Sequence, residues 1–73
     1  MISRDYHGWA LEDAENDIHN LIGYIRAKGR SADVQFITGN GKHKEQVLAI
    51  MAGYNLRAAE QIGNSGCIVA EVE

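Results

Sequence analysis

Val34-Gln35-Phe36-Ile37-Thr38-Gly39-Asn40-Gly41-Lys42-His43-Lys44 passes from an alternating apolar run, through two glycines, into a helical pattern that carries Val47, Leu48 and Met51. A strand that breaks at glycines and restarts as a helix leaves backbone N–H groups without intrahelical partners at the helix start. Those amides and the positive end of the helix dipole form a ready seat for an anion. Glycine lets the backbone take positive φ and approach a bound group with no Cβ between them. Two lysines and a histidine crowd the same turn. The stretch is therefore a candidate phosphate loop made of Thr38, Gly39, Asn40, Gly41, Lys42, His43 and Lys44, the other reading being a plain tight turn. It is not a Walker A loop, because Phe36 stands where the first glycine is required and His43 where the hydroxyl is required.

Working outward, Ile2 to His7 alternates as a short strand, with Ile2, Arg4 and Tyr6 on one face and Ser3, Asp5 and His7 on the other. Gly8 ends it. Leu11, Ala14, Ile18, Leu21, Ile22 and Ile25 then recur at helical spacing up to Gly29, a C-terminal glycine preceded by Arg26 and Lys28. Asp33 to Ile37 is the second strand, so the first helix is a crossover and the two strands are parallel. A second helix runs from about Lys44 to Ala52 and stops at Gly53. Cys67-Ile68-Val69-Ala70-Glu71-Val72 is the clearest β run. It follows a four-residue turn, Gly63-Asn64-Ser65-Gly66, and needs a hairpin partner, for which Tyr54 to Ile62 is the adjacent candidate despite its helix propensity. The expected fold is α/β: a two-layer sandwich, βαβαββ, with a mixed four-stranded sheet and both helices on one face.

The chain has 73 residues, 45 % of them hydrophobic and 23 % charged, which suits a single domain over residues 1–73 with one small core. The one cysteine, Cys67, excludes an internal disulfide. Met1-Ile2-Ser3-Arg4-Asp5 opens without the long apolar segment of a signal peptide, and no run approaches a membrane span. The expectation is a cytoplasmic chain without a membrane partner, a monomer or weak oligomer. A net charge of −3 argues against a broad electrostatic footprint on nucleic acid, so a polyanion would have to use a local patch. Glu12, Asp13, Glu15 and Asp17 gather at the start of the first helix, where the dipole favours carboxylates.

Asp5 and His7 lie at the carboxyl end of the first strand, and the glycine loop lies at the carboxyl end of the second. Ligands of parallel α/β units collect there. An imidazole that moves protons near neutral pH, a carboxylate that orients it or binds a metal, and a phosphate cradle are parts sufficient for phosphodiester chemistry. The alternative is a solvated pair at a strand end.

Asp5-Tyr6-His7-Gly8 before a helix resembles the Leu-Asp-Leu-His-Gly opening of the small MutS-related (Smr) domain. Thr38-Gly39-Asn40-Gly41 is similar to that family's Thr/His-Gly-x-Gly loop after the second strand, and Gly63-Asn64-Ser65-Gly66-Cys67-Ile68-Val69 to its closing turn and last strand. The resemblance implies a fold like the C-terminal domain of a translation initiation factor, and nicking of DNA or endonucleolytic cleavage of RNA. It implies Asp5 and His7 as the catalytic pair, and Thr38, Gly39 and Gly41 as the loop that meets the backbone of the nucleic acid. Lys42, His43 and Lys44 are added from charge and position. A divalent cation, Mg or Mn, is a possible cofactor with no assigned ligands; His7 and His43 match no zinc signature. The alternative function is a non-catalytic nucleic-acid-binding or protein-interaction adaptor of the same fold.

Three positions depart from the resembled pattern or bear on the site. Arg4 stands on the helix-facing side, where it has to carry its charge to the rim. Ala10 stands where a capping side chain is usual. Trp9 either staples the helix entry to the core or stacks on a base. His19, off the apolar stripe, is read as solvated, and Cys67 as a buried strand residue.

Overall fold

The computed structural model describes residues 1–39 and 41–73; Asn40 of the glycine loop lies outside the described residues. The order is β1 (Ile2–Asp5), α1 (Leu11–Ala27), β2 (Ala32–Ile37), α2 (Lys42–Gly53), β3 (Ala58–Gln61) and β4 (Asn64–Val72). The four strands form one sheet in the order β1-β2-β4-β3. β1 and β2 are parallel, and β4 is antiparallel to both β2 and β3. The βαβαββ sandwich read from the sequence is therefore the fold.

The core lies between the sheet and the two helices. Ala14, Ile18, Leu21, Ile22 and Ile25 of α1 and Val47 and Met51 of α2 are buried against Val34, Phe36, Ile68, Ala70 and Val72. One register row explains how the edges are closed. Arg4, Phe36, Ile68 and Glu60 sit side by side across the four strands. The two central members are apolar and buried, and the two edge members are charged. Each edge charge meets a helix: Arg4 Nε lies 3.4 Å from Asp17 Oδ2 of α1, and Glu60 pairs with Lys44 of α2. Arg4 reaches the rim as its position requires. On the open face, Ser3 Oγ donates to Gln35 Oε1 at 3.3 Å and Gln35 Nε2 to Gln61 Oε1 at 2.8 Å, so polar side chains bridge three strands over β4. Cys67 is buried there beside Ile37.

Several boundaries differ from the sequence reading. β1 stops at Asp5 rather than His7. Asp5 Oδ1 accepts the His7 N–H at 2.9 Å and Tyr6 O accepts the Trp9 N–H at 2.9 Å, so a side chain draws the backbone into a turn. α2 starts at Lys42, which puts Lys42, His43 and Lys44 in its first turn. β3 starts at Ala58 rather than Tyr54, because Tyr54 and Leu56 donate their N–H groups back to Ile50 and Met51 and Asn55 takes φ 59°. That is a helix exit, not a strand. β4 begins at Asn64, and the hairpin turns on Ile62 and Gly63 instead of four residues. His19 is exposed, and its Nδ1 shares a 2.6 Å hydrogen bond with the Tyr54 hydroxyl. No helix among the described residues is long and apolar enough to cross a membrane.

Tyr6 has no exposed surface, and its hydroxyl donates to Asp17 Oδ2 at 2.6 Å. Burial, and then the hydrogen bond and charge of Asp17, hold the phenol well above the usual tyrosine range. An unfolded tyrosine ionises near pH ~10. The stabilisation is thus complete below that pH and is lost as pH rises past it. Urea midpoints compared at about pH 8 and about pH 11 should fall further for the wild type than for Tyr6→Phe. At the lower pH, Tyr6→Phe should cost about 1.5 kcal/mol, the low end for a bond to a carboxylate, since Asp17 keeps Arg4 and water. Equal falls in both proteins would sever the link to Tyr6.

Candidate functional site

Because β1 and β2 are parallel neighbours, the β1–α1 and β2–α2 loops leave the same end of the sheet. β4 enters beside them. Gly39 is the point where they meet. A Cβ on Gly39 would lie 3.8 Å from His7 Cδ2, and a Cβ on Gly66 would lie 3.5 Å from Gly39 Cα. The Asp5–His7 segment, the glycine loop and the Gly63–Gly66 segment, separate in the chain, are thus packed against one another. Sequence reasoning treated Gly66 as a turn residue. Its part in this junction depends on the β2–β4 register, which no local pattern reports.

The junction uses up part of the loop. The N–H groups of Thr38 and Gly39 both donate to Gly66 O, at 2.9 and 3.0 Å. Thr38 Oγ1 lies 2.9 Å from Gly39 O and 3.3 Å from Gly66 O, and the residue is only 3 % exposed. Thr38 and Gly39 hold the shape of the loop; their amides do not face a ligand. Open donors begin one step later. Gly41 is the N-cap of α2, with φ 96° and ψ −135° and no side-chain cap bond, a conformation open essentially to glycine. The first intrahelical bond is Glu45 N–H to Gly41 O at 3.2 Å, so the N–H groups of Lys42, His43 and Lys44 precede the ladder.

The three basic side chains of that turn have different surroundings. Lys42 is exposed. Lys44 is paired with Glu60, which offsets its charge. His43 turns back toward the first loop, with Nε2 2.7 Å from Trp9 O. One turn on, Gln46 Nε2 donates to Leu11 O at 2.7 Å. His43 and Gln46 share one face of α2 and stitch it to the start of α1. Among the described residues, His43 Nδ1 and Gln46 Oε1 are buried without hydrogen-bond partners. Gln46 carried no signal in the sequence beyond its spacing from His43.

Asp5 and His7 are both exposed, but only Asp5 is a strand residue; His7 lies in the turn that follows. The carboxylate is bonded to the His7 backbone, and the imidazole lies over Gly39. Trp9 is 45 % exposed. It also packs on the core, with its ring 5.3 Å from that of Tyr6 at 64°. Among the described residues, no group of three or more His, Cys, Asp or Glu side chains converges as a metal site. Asp5 and His7 offer two donors at most, so a magnesium-like ion would complete its shell with water and ligand oxygens. His43 Nε2, bonded to Trp9, is not disposed to share such an ion with His7.

Comparisons with protein-family models, with curated proteins and with solved structures return no match.

Gly39 has φ +66° with room for a Cβ, whereas Gly23 sits within α1 with nothing within 4 Å. Gly39→Ala should therefore destabilise by about 1–2 kcal/mol through backbone strain alone. Gly23→Ala should stabilise by up to about 1 kcal/mol. Urea unfolding of both variants checks the opposite signs; a neutral Gly39→Ala would mean the junction does not depend on the left-handed turn.

Proposed function

We propose that this chain is a nucleic-acid-binding domain that seats a backbone phosphate at the start of α2 and acts on the adjoining phosphodiester with His7 and Asp5. The observation that carries the reading is the packing of His7 against Gly39, which brings a proton-transferring imidazole to the mouth of an uncapped helix N-terminus. Amides of the first turn and Lys42 receive the anionic oxygens and stabilise charge that builds on phosphorus. His7 takes the proton of an attacking water as the new P–O bond forms; the departing oxygen takes a proton from solvent as the old bond breaks, and His7 returns its own to solvent. Asp5 fixes the His7 turn through its backbone and adds a carboxylate to the rim. The resemblance of Asp5-Tyr6-His7-Gly8 and Thr38-Gly39-Asn40-Gly41 to the Smr pattern supports the same assignment, and an Smr-like activity on DNA or RNA follows from it.

A second reading, binding without cleavage, is favoured by one specific feature. Asp5 bonds the His7 amide rather than its ring, so no carboxylate–imidazole pair is assembled. A protein-interaction adaptor is the remaining alternative of the same fold.

The test is cleavage of supercoiled DNA and of structured RNA, with and without Mg²⁺ or Mn²⁺, by wild type, His7→Ala and Asp5→Asn. Asparagine keeps an oxygen that accepts the His7 N–H, so the turn should survive. For a nuclease, His7→Ala should lower the rate about 10²–10⁴-fold and leave affinity nearly unchanged. Lys42→Ala should weaken binding and reduce the salt slope by about one phosphate contact; Lys44→Ala should alter the slope less, because Glu60 already offsets that charge. Binding without cleavage selects the second reading. Cleavage that survives both first-loop substitutions would remove His7 and Asp5 from the chemistry.

A further inference from the structure

We infer that Trp9 is a base-stacking platform and that the ligand of this site is therefore a single strand with unpaired bases, an inference that rests on the phosphate seat at α2. Trp9 is among the large apolar side chains left exposed, and its backbone is tied to the first turn of α2. Its carbonyl is bonded to His43, a residue of the first turn of α2, at 2.7 Å. Its ring is held in place by an edge-to-face contact with Tyr6, which is itself buried and stacked on Phe36 with centroids 5.9 Å apart. An edge-to-face contact leaves at least one face of the indole clear of Tyr6. A rigid, half-open aromatic next to a phosphate seat is the pair of features that proteins use to hold one nucleotide at both ends.

The charges around the site favour the same ligand. A duplex is held mainly by many cations along its phosphates. Here the loops that meet at the site carry acids as well as Lys42: Asp5 ends β1, and Glu12 and Asp13 lie in the first turn of α1. Lys44 is paired with Glu60. One or two phosphate contacts in acidic surroundings give little affinity by counterion release. Stacking supplies what the charges do not, and does so for an unpaired base whose face is accessible. Leu11, two residues beyond Trp9 in the chain, is also exposed.

The chain holds one tryptophan, so its emission reports on this residue alone. The 73-residue chain is titrated with an oligothymidylate of about eight residues, with a strand of the same length bearing abasic sites, and with a duplex of that length, binding being followed by competition and by Trp9 fluorescence. The oligothymidylate should quench the emission to saturation. The abasic strand should bind roughly 5- to 150-fold more weakly and leave emission unchanged, the range expected for loss of one stacked base. The duplex should bind more weakly than the single strand. Trp9→Phe should keep most of the affinity and Trp9→Ala should lose it, with circular dichroism confirming that both fold; the wild-type titration stands whether or not they do. Equal binding of the normal and abasic strands without quenching would overturn the stacking role and leave the phosphate seat standing. Tighter binding of the duplex would also overturn it. No binding by any strand would overturn both.

Discussion

Tyr6 is the residue on which the arrangement depends. Its N–H continues the β1–β2 pairing by donating to Ile37 O at 2.9 Å. Its ring lies between Phe36 of the core and Trp9 of the loop. Its hydroxyl reaches Asp17 of α1, the same carboxylate that receives Arg4. Strand, helix and loop are thus fixed relative to one another through one buried side chain. A leucine would be apolar but smaller; it would leave Asp17 to Arg4 and water, and would give Trp9 no edge-to-face partner. The position of the first loop, and with it of His7 over Gly39, follows from these contacts.

The start of α2 shows local conflict that packing resolves in part. Cations in the first turn of a helix oppose its dipole, a cost of a few tenths to about 1 kcal/mol each. Lys44 is relieved by Glu60, which the edge strand β3 delivers at the end of the Arg4–Phe36–Ile68–Glu60 row. Lys42 keeps the conflict, and an anion at the same turn would relieve it. The proposed phosphate seat thus lies where local rules for a stable helix are broken.

Much of the fold was legible because its signals are local. The three- and four-residue spacing along α1, the alternation in β2 and β4 and the crossover rule suffice for βαβαββ with a mixed sheet. The errors have physical causes of their own. His7 looks like a strand residue until the Asp5 carboxylate takes its amide. Ala58 to Gln61 has little β propensity and is a strand because β4 lies beside it. Tyr54 to Leu56 carries no sign that it will fold back on α2. At the site, the glycine loop, Asp5 and His7 could be singled out from residue type and order. The commitment of the Thr38 and Gly39 amides to Gly66, the Lys44–Glu60 pair and the His43–Trp9 bond could not, since each depends on strand register or helix docking between residues far apart in the chain.

The central claim is that three separate segments form one seat for a phosphate at the start of α2. Amide chemical-shift mapping with a short oligonucleotide tests it most directly. The account predicts that the N–H signals of Gly41, Lys42 and His43 move first and farthest, with His7 and the Trp9 indole following, while Thr38 and Gly39, already bonded to Gly66, move less. Shifts confined to the open face of the sheet or to the C-terminal end of α1, with the α2 start unmoved, would contradict it.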